Sequence, residues 1–445
     1  MAINSRCGLA CKRHSESGEA EYTNRVTLSP IEALARYWTS PTEHHTQWQN
    51  DTAPLFSRLL EAAQYDVHDQ YQYLLFMFGH IIPSLGPYPQ RWKSTMTTLG
   101  IPLEFSINYQ KHGKETVRVA LEPVSVVSGT DEDPFNLITT RKFMSDIANL
   151  GLESFDMELH DYLINAFFPS ANEIRDLQAS GYGKRGGEQK SPSAFGFDLK
   201  AGGCITVKGY CHLLLKHLAT GTPVSDIVRE PLVRLCRQMT CSAAFDLMHD
   251  YLTKSSGYIK HTFLSWDYVP KEKSRLKVYS GSTSISLEKA EEVWSLGGRV
   301  QGEEISEGIK LIKQLWKTLG LKSCTDNTAQ PVELEFDVNE EAQQKFQPPL
   351  TWNYELQPGI SHPLTKLYFP VHGMNDLKVA EALSKFFHFL GWHDQAESYL
   401  SVLRDLYPEE DISKCTQLQS WISLAYTSQK GAYISVYYRS AKRSL

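Results

Sequence analysis

Three short stretches of this chain pair a cation with a phenol at a spacing suited to gripping an anion. Lys208-Gly-Tyr210 lies in ITVKGYCH, Arg275-Leu-Lys277-Val-Tyr279 in SRLKVYS, and Lys366-Leu-Tyr368 in TKLYFPV. Each stretch reads as a β-strand, on which residues two apart share a face. Cation and phenol therefore stand on one side, with Gly209, Leu276, Val278 and Leu367 on the other. A solvated strand face often carries Lys and Tyr, and any one of these strands taken alone fits that description better. A solvated face has no reason to repeat basic–x–Tyr on three strands. If the apolar residues meet helices, the polar ones point into an enclosed space. Ammonium groups buried without partners are costly, so several in one cavity imply a bound polyanion. A diphosphate fits, being compact, multiply charged and rich in acceptors for Lys, Arg and Tyr hydroxyl groups.

Glu104, in GIPLEFSINYQ, shares a strand face with Ser106 and Asn108, opposite Phe105 and Ile107. A lone acidic residue usually faces solvent; inside the same cavity it could accept a hydrogen bond from a heteroaromatic N–H. Arg118, in ETVRVALEP, falls on what should be the partnering strand and could join the cations. No P-loop, GxGxxG or HExxH occurs, and no aspartate-rich DDxxD on a helix. Asp131-Glu132-Asp133-Pro134 is acidic, but its proline and loop context do not set carboxylates on one helix face. Neutralising the anion would fall to Lys and Arg, with no required metal. The eight cysteines form no CxxC pair, and Cys7, Cys11 and His14 lack a fourth ligand nearby, so neither a zinc site nor a disulfide framework is expected.

The elements that must hold these residues alternate between two textures. LEFSINYQ, TVRVALEPV, FGFDLK, CITVKGYCHLLL, IKHTFLSWDYV, SRLKVYS, TWNYELQ, TKLYFPV, WISLAYTS and AYISVYY read as strands. Helical spacing covers the stretch from Pro30 to about Leu85, then FNLITTRKFMSDIANL, MELHDYLINAFF, VREPLVRLCRQM, CSAAFDLMHDYLTK, LEKAEEVWSL, SEGIKLIKQLWKTL, LKVAEALSKFFHFLGW and QAESYLSVLRDLY. The strands come in pairs, with hairpin signals at Lys200-Ala-Gly-Gly203 and Gln429-Lys-Gly431. Paired strands mean antiparallel order, which disfavours a doubly wound parallel sheet. The fold class expected is α+β: a single closed antiparallel barrel surrounded by helices.

The totals agree. At 445 residues with 41% hydrophobic content the chain can bury a large core, and no Pro- or Ser-rich linker divides it. A formal charge of −6 argues against a nucleic-acid partner. No apolar run reaches the length of a membrane span, and residues 1–28 read as a disordered polar leader ahead of a barrel domain over 29–445. A cytoplasmic location follows as the expectation.

At these residues the sequence resembles the fungal dimethylallyltryptophan synthase family of indole prenyltransferases. IIPSLGPYPQRWKS, LEFSINYQ, FGFDLK, ITVKGY, SRLKVY, VWSLGGR, WNYELQPG, KLYFPVHGMND and GAYISVYY carry the likeness, across nearly everything after the leader. LGPYPQRWKST, DPFN, FGFD, WNYE and LQSWIS are most similar to members that reverse-prenylate tryptophan-containing cyclic dipeptides such as brevianamide F. The resemblance implies a barrel built from repeated αββα units. It implies transfer of a dimethylallyl group from dimethylallyl diphosphate, a co-substrate, to an indole, with no cofactor. By the same resemblance Glu104 holds the indole N–H, and Arg118, Lys208, Arg275, Lys277 and Lys366 bind diphosphate. Tyr210, Tyr279, Tyr368, Tyr433 and Tyr437 shield the allyl cation, and Ile81 and Ile82 belong to a backbone segment against the acceptor. The partners implied are these small molecules, and a homodimer is left open.

Two departures stand out. Some members place a diphosphate-binding arginine where this chain reads Tyr426-Thr-Ser-Gln429. Members that alkylate C4 of free tryptophan use a lysine as final base, upstream of the ITVKGY-like strand, where this chain reads SPSAFGF. Lys200 is near but could belong to the hairpin, so the final base has no assignment from sequence. Free tryptophan, tyrosine, an ergoline or a polyphenol stay open as acceptors, as does a non-catalytic barrel that binds a lipid or phosphorylated ligand.

Overall fold

The computed structural model describes residues 28–111, 114–182, 191–255, 259–282, 284–323 and 349–441, of which 259–262 are described by backbone alone. The expected leader, apart from Leu28, lies outside the described residues.

Ten strands form one closed barrel in the order β1-β10-β9-β8-β7-β6-β5-β4-β3-β2. They are β1 (Leu103–Gln110), β2 (Thr116–Leu121), β3 (Ser193–Lys200), β4 (Cys204–His212), β5 (Ile259–Asp267), β6 (Leu276–Ser282), β7 (Leu350–Leu356), β8 (Leu364–Pro370), β9 (Gln419–Thr427) and β10 (Gly431–Arg439). Every neighbouring pair is antiparallel, and β1 meets β10 with Glu104 opposite Arg439 and Ser106 opposite Tyr437. Closure leaves no strand edge unpaired.

Helices precede each hairpin. They are α1 (Pro30–Tyr37), α2 (Glu43–Ala62) and α3 (Val67–Phe76) before β1; α4 (Leu137–Ala148), α5 (Glu158–Phe167) and α6 (Ala171–Ala179) before β3. Then come α7 (Leu214–Thr220), α8 (Val224–Gln238) and α9 (Ser242–Lys254) before β5, α10 (Leu287–Trp294) and α11 (Glu303–Leu319) before β7, and α12 (Asp376–Phe389) and α13 (His393–Leu406) before β9. Local chemistry fixes their ends. Ser29 with Glu32 and Ser170 with Glu173 form capping boxes, Asp66 accepts from the backbone of His68 and Asp69, and Gly320 ends α11 at φ 65°.

The strand alternation decides which way each side chain points. Leu103, Phe105 and Ile107 of β1, Val117, Val119 and Leu121 of β2, and Phe195, Phe197 and Leu199 of β3 are wholly buried beneath the helices. The residues between them face the barrel interior. Each buried Leu or Phe contributes about 1.5–3 kcal/mol, so the core is a cylindrical shell between barrel and helices. Polar ties pin helices to the hairpins they carry. The Tyr65 hydroxyl donates to the Leu199 carbonyl and accepts from the Val117 N–H at 3.0 Å, bridging β2 and β3. The Asp376 carboxylate accepts from the backbone N–H groups of Leu418 and Gln419, at 3.1 and 2.9 Å, fastening α12 to the start of β9.

All ten expected strands are present. One expected strand ran too far: CITVKGYCHLLL ends as a strand at His212, and Leu214–Thr220 is α7. Leu213 and Leu215 are fully buried within the helical layer, and a short apolar run cannot by itself distinguish the two states. The short helix α6 was not anticipated.

Candidate active site in the barrel

The interior positions of β2, β3, β4, β5, β6 and β7, with Arg275 just ahead of β6, carry a chain of alternating charge. Arg118 Nε lies 2.5 Å from Asp198 Oδ1, and Lys208 Nζ bonds Asp198 Oδ2. Lys208 also stands 3.8 Å from Asp267, whose carboxylate accepts from Arg275 at 2.7 and 3.0 Å. Glu355 takes Lys277 at 3.1 Å and Arg275 at 3.6 Å. Lys366 is different. Its ammonium reaches the Ser435 hydroxyl at 2.9 Å and lies 4.6 Å above the Tyr433 ring, with no carboxylate within ion-pair distance among the described residues.

The five cations expected from sequence are thus brought together, but not as unpartnered charges. Asp198, Asp267 and Glu355 neutralise them in part, and the sequence reading missed all three. Strand parity could have found them: Asp198 shares a face with Gly196, Asp267 with Ser265, and Glu355 with Asn353, each set on a strand flanking one of the cation-bearing strands. Arg275 stands one residue before β6 rather than within it. With Lys366 protonated, this group carries two more positive than negative charges.

The electrostatics show how tightly the charges are coupled. Burial would raise the Asp198 carboxyl, yet the charges of Arg118 and Lys208 hold it well below the usual carboxylate range. Burial acts the same way on Asp267 and Glu355, and their Lys and Arg neighbours bring both down to about 2. Burial lowers the Lys208 ammonium to about 8 against the pull of Asp198. It drives Lys366 well down, helped by repulsion from Arg118 and Lys277. An arriving anion would find Lys366 ready to take up a proton.

Beside the charges lies an arc of phenols. Tyr210, Tyr279, Tyr368 and Tyr437 come from β4, β6, β8 and β10, with successive ring centroids 6.4, 6.0 and 6.1 Å apart. Phe263 stacks on Tyr279 at 4.0 Å. Asn353 donates to the Tyr368 hydroxyl at 3.0 Å, and burial holds the Tyr210, Tyr368 and Tyr437 phenols protonated. Tyr433, grouped with these four from sequence, has the Lys366 ammonium over its ring, as Tyr368 does at 5.6 Å.

Glu104 is half-buried on β1, beside Thr97, Thr98, Leu99 and Arg439. Burial pushes its carboxyl up to about 8, against the opposing pull of Arg118. Ile81 closes the π-helical turn that follows α3 and Ile82 opens a 3-10 turn, and both residues are wholly buried. Lys200 is exposed at the end of β3, on the hairpin rim. No group of three or more His, Cys, Asp or Glu arranged to hold a metal occurs among the described residues, and none of their helices is long and apolar enough to cross a membrane.

The arrangement can stabilise a polyanion at one level and an adjacent carbocation at the next. Comparison with known proteins points the same way. A model of the family described as tryptophan dimethylallyltransferase matches residues 44–402. The reverse prenyltransferase criA of Aspergillus cristatus is 42% identical over 424 residues, covering 93% of this chain and 94% of that protein. The deoxybrevianamide E synthase notF of Aspergillus sp. (strain MF297-2) is 42% identical over 414 residues, covering 93% and 91%. The crystal structure of NotF in complex with brevianamide F and DMSPP superposes with a TM-score of 0.83 at 41% identity, over 94% of this chain and all of that one.

Proposed function

This chain belongs to the tryptophan dimethylallyltransferase family and is an aromatic prenyltransferase; from that premise we propose that it transfers a dimethylallyl group from dimethylallyl diphosphate to the indole of a tryptophan-containing cyclic dipeptide. Attachment is in the reverse sense, at C2 or C3, and needs no metal. The observation that carries the chemistry is the sequence of levels on the barrel wall. The charged chain from Arg118 to Lys277, with Lys366 beside it, adjoins the arc from Tyr210 to Tyr437, with Glu104 on the inward face of β1. The dipeptide and the reverse sense rest on the relatives' names and on brevianamide F in the NotF complex.

In this reading Arg118, Lys208, Arg275, Lys277 and Lys366 hold the diphosphate. The C–O bond breaks with both electrons leaving on oxygen, and the cations stabilise the charge that develops. Tyr210, Tyr279, Tyr368 and Tyr437 turn π-faces toward the allyl cation, each worth about 2 kcal/mol when desolvated. Tyr433 braces Lys366. Glu104 accepts the indole N–H and the backbone at Ile81 and Ile82 borders the acceptor. The ring then attacks through the tertiary allyl carbon.

The test is incubation with dimethylallyl diphosphate and a panel of aromatic acceptors, reading diphosphate release and product mass. Products from cyclic dipeptides carrying tryptophan are expected. Product from free tryptophan, tyrosine, an ergoline or a polyphenol alone would move the acceptor, and no turnover at all would leave a binding barrel.

A further inference from the structure

The reaction ends with a proton to dispose of, and the groups considered so far are poorly suited to take it. Asp198, Asp267 and Glu355 are tied to cations. Glu104 is occupied by the N–H, and Lys366 sits where the diphosphate arrives. Lys200, the nearest lysine to the position of a C4-type base, is on the exposed rim.

An imidazole on the barrel wall is also unassigned. His212 ends β4 on the same face as Lys208 and Tyr210, so that strand presents charge, phenol and imidazole in order along its length. Its ring lies 5.3 Å from that of Phe263, which stacks on Tyr279. Other histidines of the fold are fastened through a ring nitrogen: His44 to the Tyr88 backbone, His160 to the Tyr268 hydroxyl, His217 to the Thr222 carbonyl, and His372 to the Thr98 hydroxyl. The His212 imidazole has no such tie among the described residues, and it is half-buried rather than sealed into the core. A free, inward-facing imidazole at the far end of the phenol arc from the cations has a nitrogen to offer a substrate.

We propose that His212 is the proton acceptor that completes prenyl transfer, an inference that rests on the functional reading above. When C2 is attacked, the C2–H bond breaks, its electrons restore the indole, and the proton passes to an imidazole nitrogen. When C3 is attacked and the dipeptide nitrogen closes onto C2, the proton lost is that nitrogen's own. In both cases the imidazolium returns its proton to water or to departing diphosphate. Burial pushes His212 down to about 4, so the ring is neutral and receptive at physiological pH, and an alkylated indolium is acidic enough for so weak a base.

His212→Gln and His212→Ala test this, with prenylated product and diphosphate release measured separately. Product formation should fall about 10²-fold, at the lower end of general-base contributions, while KM for dimethylallyl diphosphate holds. Added imidazole should restore part of the activity of His212→Ala. Where product forms at C2, acceptor deuterated there should show a primary isotope effect in the variants that exceeds the wild type's. Wild-type product rates in both variants, or losses without imidazole rescue that extend equally to diphosphate affinity, would overturn the assignment. If the wild type alkylates no cyclic dipeptide, the acceptor reading fails separately, and the variants are run on whichever indole it does alkylate. If it alkylates none, both readings fall.

Discussion

Glu104 and Asp198 are both half-buried carboxylates of the barrel wall, and their surroundings drive them in opposite directions. Among the described residues Glu104 has no ion-paired cation, so burial dominates and its proton is held up to about pH 8. In the role proposed for it, accepting an indole N–H, the carboxylate is depleted as pH falls, and kcat/KM, which reports the free enzyme, should drop below about pH 8. Glu104→Gln should lower the rate by about 10²-fold or more and remove that acid limb. A limb that persists in the variant would assign it to another group. Asp198 is instead clasped by Arg118 and Lys208, and ionises readily because of them. Asp198→Asn would leave two buried cations short of a counter-charge, a loss of about 3–5 kcal/mol. Inorganic diphosphate, binding the folded barrel, should then raise the variant's Tm more than the wild type's. Equal shifts would show that the diphosphate does not sit against Arg118 and Lys208.

At the scale of elements, the strands are where sequence and structure agree best, and β4 shows why. Its outward residues Ile205, Val207, Gly209 and Cys211 pack under helices while Thr206, Lys208, Tyr210 and His212 face inward, so a period of two is written directly in the residue types. Helix α6 follows no such rule, since a nine-residue helix with Leu177 as its one buried side chain has hardly any apolar stripe to read. The carboxylates were harder still. Single Asp and Glu residues look solvated until the register sets Asp198 beside Arg118, Asp267 across from Lys208 and Glu355 across from Lys277. The same strand carries a packing prediction. Gly209 lies under Trp266, whose ring carbon would stand 2.5 Å from an added Cβ. Gly209→Ala should therefore destabilise by about 1–3 kcal/mol through overpacking, although alanine costs the unfolded chain less entropy. A urea midpoint equal to the wild type's would mean that Trp266 swings aside freely.

For the molecule as a whole, the balance of charge inside the barrel is opposite to that of the chain. The protein carries a formal −6, yet the interior chain from Arg118 to Lys366 is cationic by two when Lys366 is protonated. The barrel makes this tenable: the strand ladder satisfies the backbone, the outward apolar residues bind the helices, and the three carboxylates cap the self-repulsion. Removing water from such a site strengthens its grip on a multiply charged leaving group, because each contact acts in a medium of low dielectric. In the proposed reaction five side-chain cations supply the neutralisation for which other prenyl-transfer sites recruit magnesium against a carboxylate cluster. Carboxylates already committed to Lys and Arg are poor ligands for an added divalent ion. Turnover measured after exhaustive treatment with EDTA should accordingly match the untreated enzyme, and Lys277→Ala should cost about 10²–10³ in rate under both conditions. Activity abolished by EDTA and regained with magnesium would mean that the cationic wall alone does not carry the leaving group.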